Sequence, residues 1–294
     1  MLVYSNRLHL DLLLFSFFFS VLFCACCSLA DNLLSFWVFL ELCGMSLIPV
    51  FFYVSESSLQ GFYSSLLTYI VMSGLSSVLL IGGFVVSSLY YMVLAGFMLK
   101  FGLFPFSLWV YRVFSGSNWL FIFLLSVVSK FPILFFCFLL TSGSELVLFW
   151  DCFMTILMCS CFFWFFSQSW EFVWCHISLS SVSTLIIACF CGDFFLCLFI
   201  YFYYFLWSGF CIWYFYSVGE QNGVKNGFWW YCFLLLITPI SMPLFYKLSV
   251  CMAVIYTSLQ VLVSWCVYSF SEQFFLYKLG SDYFYSSVYN GWAC

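Results

Sequence analysis

The sequence predicts an all-α polytopic membrane protein with about ten transmembrane helices, in a range of roughly nine to eleven. Three observations carry that prediction. Hydrophobic residues make up 66% of the chain and charged residues only 6%, against the roughly 25% charged residues of a soluble domain. The mean hydropathy is +1.15. The stretches 11–30 and 194–216 are almost unbroken apolar runs, long enough to cross a bilayer as helices and without the alternation over about 10 residues that marks a barrel strand. The formal net charge of −4 comes with no basic patch, which excludes nucleic acid as a ligand and leaves the lipid bilayer as the chain's main surroundings.

The elements follow in order from runs of about 20 apolar residues. Arg7 and His9 precede the first run, as in a signal peptide, but no small-residue cleavage site leads into a soluble domain, so 12–30 reads as the first span. Further spans are expected at 33–54, 61–86, 88–111, 118–140, 146–167, 171–190, 194–216, 228–249 and 250–271. Residues 1–271 thus form one transmembrane helical domain. Residues 272–294 read as a C-terminal tail or a truncated last helix. Connections are short; the longest, around 217–227, gathers Glu220, Lys225, Gly219, Gly223 and Gly227.

Cysteine, at 17 residues, is scattered inside the spans. Cys24 and Cys27 make a C-x-x-C, but their neighbours are apolar or small and no histidine is near, so they read as apolar filler rather than metal ligands or a disulfide. No metal site is expected. The abundance of Phe (44), Cys (17) and Trp (13) is what a thymine-rich coding strand supplies, as in an organelle gene.

Charge placement is the most informative feature. Glu41, Lys100, Lys130 and Lys247 fall near the middle of apolar spans, where a charge costs about 2.5–3.5 kcal/mol on insertion scales and marks an ion or proton path. The other charged residues lie in loops, in the tail or near span ends. Among the mid-span charges three positives face one negative, so full pairing within the chain is not expected. Arg7, Arg112 and Lys225 fall on the N-terminal side of an alternating topology, with Asp31, Glu145 and Asp193 opposite, which puts the N-terminus inside. Glu56 lies in a connection. His176, near a helix start, reads as interfacial, as do Asp151 and Glu145.

Helix breakers stand beside these lysines. Gly102 and Pro105 follow Lys100, and Pro105 should end or kink the helix by removing a donor and clashing with the carbonyl of residue 101. Pro239 and Pro243 precede Lys247, and Pro132 follows Lys130. Broken helices at mid-membrane expose backbone polar groups to ions and water.

The strings FWVFLEL (36–42), Ile48-Pro49, ESSL (56–59), LKFGLFPFSLWV (99–110), SKFP (129–132), SLSSV (178–182) and PLFYK (243–247) together resemble the subunit 2 family of mitochondrial NADH:ubiquinone oxidoreductase, respiratory complex I. Order and spacing agree over about 30–250. The resemblance implies an antiporter-like bundle of related five-helix units with two discontinuous helices. It also implies proton-relay roles: Glu41 as the carboxylate paired with Lys100, Lys130 as the central lysine, and Lys247 as the distal one on the second broken helix. Ser180 and Ser181 resemble the family's mid-membrane serine pair, which either bond back to their own helix or hold a water.

The implied partners are other membrane-arm subunits. The implied site is the mitochondrial inner membrane, multi-pass, with the N-terminus on the matrix side. NADH, FMN, iron–sulfur clusters and ubiquinone belong to the complex as a whole; no cofactor and no catalytic residue is assigned to this chain. Two departures stand out. Ser107 replaces a histidine often found after Pro-Phe, and Thr238–Met242 replaces a glycine-rich stretch. The short C-terminus implies a truncated or missing last helix.

Burial disfavours a charged lysine and a nearby carboxylate restores it, so moving Glu41 relative to Lys100 would release a proton toward Lys130 and Lys247. The subunit would then translocate protons using energy from quinone reduction elsewhere. Three alternatives stay open. The charges could be static ion pairs fixing helix register, the chain could be a free-standing cation/proton antiporter-like transporter, or it could be an assembly scaffold.

Overall fold

The computed structural model describes residues 2–52, 59–86, 90–139, 145–167, 169–220, 227–255 and 257–284. Glu56 and Lys225 lie outside them, and the side chains of Arg7, His9, Glu145 and Glu220 are likewise not described. Among the described residues there is only helix: α1 (Leu2–Cys27), α2 (Leu33–Ser46), α3 (Leu59–Val85), α4 (Tyr90–Phe101), α5 (Leu108–Ser115), α6 (Trp119–Ser126), α7 (Phe131–Leu139), α8 (Glu145–Phe165), α9 (Trp170–Cys191), α10 (Phe194–Glu220), α11 (Phe228–Leu234), α12 (Met242–Val254) and α13 (Leu259–Phe284). Short 3-10 turns follow α2 at Ile48–Phe52 and precede α7 at Val128–Lys130.

Six stretches are long and apolar enough to cross a bilayer in one piece, among them Gly61–Val85, Trp170–Cys191 and Phe194–Gly219. The shorter helices pair end to end, α4 with α5 and α11 with α12, which makes the two discontinuous helices expected from the sequence. The Lys130 span is interrupted as well, α6 giving way to the 3-10 turn before α7.

The C-terminal boundary differs from the expectation. Residues 272–284 belong to α13, a 26-residue helix, rather than to a tail, and the expected span 250–271 is divided between the end of α12 and the start of α13. The sequence SEQ at 271–273 looks like the wet end of a helix, yet α13 packs this polar face inward, against α8, α11 and α12.

The centre of the bundle is α9. It packs against α5, α7, α8, α10 and α12, and every residue from Val173 to Cys189 is buried. The cause is its polar content. Side chains able to hydrogen-bond, among them Trp174, His176, Ser178, Ser180, Ser181, Ser183 and Thr184, are spread around the helix, so no face is free to contact lipid, where such groups find no partners. Outer helices show the converse, with Phe195 83% exposed and Trp229 80% exposed, which suits hydrocarbon.

The α4–α5 break is locally determined. Gly102 adopts φ +70° and closes α4 in a Schellman motif: its N–H donates to the Leu99 carbonyl (3.4 Å) and the Leu103 N–H to Met98 (2.9 Å). The Leu99 carbonyl also accepts the Trp109 indole N–H at 3.0 Å, and Thr155 on α8 accepts the Phe104 N–H at 3.0 Å. The helix therefore stops at Phe101, ahead of Pro105, whose preceding peptide bond is cis.

At the second break the carboxamide of Gln273 on α13 replaces the missing helical partners. Its oxygen accepts the Ile237 N–H (2.8 Å) and its nitrogen donates to the Leu235 carbonyl (3.3 Å). The Trp207 indole N–H caps Leu234 at 2.8 Å. Pro239 lies inside this break, whereas Pro243 sits in the first turn of α12, where a missing N–H costs nothing.

Candidate functional site

Each sequence-selected charge is brought inside the bundle by its own element. Lys100 occupies the last turn of α4, where the free carbonyls of a helix C-terminus favour a cation. Its Nζ meets Glu41 of α2 at 3.2 Å, with the two side chains 12% and 17% exposed. The ammonium also lies against Gly44, so close that a Cβ there would stand 3.3 Å from Nζ.

Lys130, at the junction of the 3-10 turn with α7, is fully enclosed. Its Nζ donates to the Ser178 carbonyl (2.7 Å), the Ser181 hydroxyl (2.6 Å) and the Tyr204 hydroxyl (3.0 Å), and it sits 4.4 Å from the Tyr204 ring centre. Among the described residues no carboxylate pairs with it. The interruption that creates this junction leaves carbonyls which side chains satisfy: Tyr204 O–H donates to Ser126 (3.4 Å) and Tyr201 O–H to Val127 (3.3 Å).

The serine pair divides. Ser181 contacts Lys130, while Ser180 donates back to the Ile177 carbonyl at 2.9 Å. Ser107, in the place expected to weaken a relay, is buried with only a 3.9 Å contact to the Met158 sulfur.

Lys247, on α12, has a partner that the sequence reading missed. Its Nζ lies 3.0 Å from the Glu272 carboxylate of α13, both groups buried, and donates to the Ser269 carbonyl at 3.4 Å. The expected last span ends at residue 271, which leaves Glu272 among the tail charges. Helix α13 carries it into the interior, so the mid-span charges are three lysines and two glutamates. The row has a symmetric order: carboxylate and lysine at each end, an unpaired lysine between.

His176 is also corrected. It is wholly buried in the bundle, its Nδ1 2.7 Å from the Tyr111 hydroxyl and its Nε2 without a partner among the described residues. Burial follows from its place on α9, all of whose faces are covered. Asp151 is half-buried on α8, with Oδ2 unpartnered. Cys24 contacts Cys43 across α1 and α2 at 3.2 Å rather than Cys27.

The lysines are joined by space and by hydroxyls. A cavity of about 30 Å³ is lined by both Lys100 and Lys130, with Ser126, Ser129 and Ser178 among its polar walls. A water needs roughly 10–15 Å³ on this measure and two or more polar partners, so the cavity has room for about two. A second cavity of similar size, also lined by Lys100, lies against Gly44 and Tyr69. The Tyr204 ring, beside Lys130, packs near that of Tyr246, their centres 5.7 Å apart, and Tyr246 immediately precedes Lys247.

The fold recurs in solved membrane complexes, among them the following two. One is the respiratory complex I of Thermus thermophilus with bound aureothin, a chain of which aligns at TM-score 0.65 and 16% identity, over 85% of this chain and 65% of that one. The other is the Mrp complex of Dietzia sp. DQ12-45-1b, at TM-score 0.62 and 12% identity, over 88% of this chain and 34% of that one. The chain thus spans about two thirds of the length of the first and one third of the second. No family model matches the sequence and no curated protein matches it.

Proposed function

We propose that the chain is a proton-translocating subunit of the membrane arm of a complex I-like assembly. The observation that carries this reading is the buried row itself: Lys100 held by Glu41, Lys130 held only by neutral oxygens, and a cavity walled by both. A lysine that keeps its proton through one carboxylate loses it when that carboxylate is withdrawn, because desolvation then acts unopposed. The proton moves through the shared cavity to Lys130, whose three acceptors accommodate an ammonium, and onward to Lys247. Ser181 positions Lys130, and the two breaks give the path access to backbone polar groups.

The sequence resemblance favours subunit 2 of the mitochondrial enzyme, in the inner membrane with the N-terminus on the matrix side. On that reading NADH, FMN, iron–sulfur clusters and ubiquinone reside in partner subunits, and this chain contributes no redox group. The likeness to the Mrp complex supports a second reading, a cation/proton antiporter working without NADH-oxidising partners.

A native gel of gently solubilised membranes separates the two. An antibody to the chain should mark the same large band as an in-gel NADH dehydrogenase stain; migration in an assembly that does not oxidise NADH would favour the antiporter. Within either assembly Lys100→Met is expected to assemble normally while lowering coupled proton transport at least about tenfold. Normal transport by the assembled variant would remove the relay assignment.

A further inference from the structure

We infer that Glu272 and Tyr268 of α13 form the distal proton-transfer step, resting on the relay reading above. Three observations meet at this place. Glu272 is 2% exposed and pairs with Lys247 at 3.0 Å. The Tyr268 hydroxyl, one turn earlier on α13, is buried and has no hydrogen-bond partner among the described residues. Four residues before Glu272, it shares that residue's face of α13, and it interacts electrostatically with the Glu272 carboxylate and the Ser180 hydroxyl, which links the serine pair to the distal ion pair.

An orphaned buried hydroxyl costs about 1–3 kcal/mol in stability; phenylalanine would fill the same space without that cost. A rotating O–H between two hydrogen-bonding groups has a use that phenylalanine lacks, since it accepts a proton on one side and gives its own on the other. Ser180 donates its one hydroxyl proton to the Ile177 carbonyl at 2.9 Å, so it passes a proton to Tyr268 by turning out of that bond.

The step balances as follows. A proton reaching the Tyr268 oxygen from the Ser180 side is matched by the hydroxyl proton passing to a Glu272 carboxylate oxygen. Neutral Glu272 no longer compensates the Lys247 ammonium, which releases one proton from Nζ on its far side. Transfer of the proton from Glu272 to Lys247 then restores the ammonium–carboxylate pair. One proton has entered and one has left; the pair carries a net charge of +1 while both groups are protonated and is neutral before and after.

The groups that face this site are Lys247 and Tyr246 from α12 and Cys211 from α10, with Cys159 of α8 beside Tyr268. None but Lys247 offers a basic nitrogen. Gln273 joins the site to the helix break: its amide nitrogen donates to Glu272 at 3.3 Å while the same carboxamide holds Leu235 and Ile237. Protonation of Glu272 and the geometry of the α11–α12 break are thereby linked.

The test is proton flux under an imposed potential, in liposomes holding the chain in the assembly with which it purifies. Tyr268→Phe should melt no lower than wild type and conduct at least about tenfold less; unchanged flux overturns the assignment of Tyr268. The double variant Lys247→Met with Glu272→Gln deletes both charges, leaves neither stranded and should fold. If the pair is only structural, the double variant conducts like wild type, and the proposal falls. If the pair carries protons, flux stays at least about tenfold down despite the restored fold, and Glu272→Asp alone retains part of it. Normal flux in Lys130→Met would instead overturn the relay reading, and with it this step.

Discussion

Lys130 is held differently from the lysines on either side of it. Lys100 and Lys247 each touch a carboxylate, whereas Lys130 touches one carbonyl and two hydroxyls. Hydroxyls accept from an ammonium and can donate to a neutral amine, so the central site serves both protonation states. The lysines and Glu41 were legible in the sequence because a charge inside an apolar run has few explanations. Tyr204 was not, being one of 20 tyrosines in a chain where aromatic residues mostly fill space. Glu272 escapes the sequence because the last helix runs past residue 271, whereas His176 lies in a span that runs as expected and is buried because other helices cover every face of α9. The buried His176 yields a prediction at this scale. Tyr111→Phe would strand Nδ1 as well as the already unpartnered Nε2, so it should cost about 1–3 kcal/mol. A thermal melt in detergent checks this, and adding His176→Leu should recover most of the loss.

At the scale of elements, the two broken helices are stabilised by unlike means. The first is sealed locally by Gly102 and its Schellman hydrogen bonds, with Trp109 and Thr155 supplying two side-chain partners. Sequence could show it, since lysine, glycine and proline stand within six residues. The second is sealed by Gln273, thirty-six residues away from Ile237, and by Trp207 from α10. Prolines marked its neighbourhood, but no local pattern identifies a glutamine on another helix as its cap. The α6–α7 interruption was likewise flagged only by Pro132. Gly102 tests the first seal. A Cβ at this position would overlap Val110 Cγ2 in a backbone conformation that side chains avoid, so Gly102→Ala should destabilise by at least about 1–2 kcal/mol. Adding Val110→Ala should relieve the clash and leave the conformational cost, a partial recovery readable in the same melt.

Across the whole molecule, α9 decides which side chains meet. Its serines and histidine bind α5 and α7 to the distal helices, since Ser178 and Ser181 hold Lys130, His176 holds Tyr111, and Ser180 lies beside Tyr268. Composition and span length announced the helical bundle, and the mid-span charges announced a path. What joins the charges could not be read from them, because a cavity is a property of how several helices pack. That cavity carries the last prediction. Val182 of α9, 3% exposed, lines the space of about 30 Å³ between Lys100 and Lys130. Leucine there adds one methylene where there is room for it, so Val182→Leu should alter stability by less than about 1.5 kcal/mol. The space left for water falls below what two molecules need, while the Glu41–Lys100 pair and every contact of Lys130 stay intact. Flux should therefore drop by about tenfold or more in a protein that melts like wild type. A compensating Leu179→Val, on the wall of the same cavity, should restore the volume and the flux together. Full conduction in Val182→Leu would remove this cavity from the proposed path.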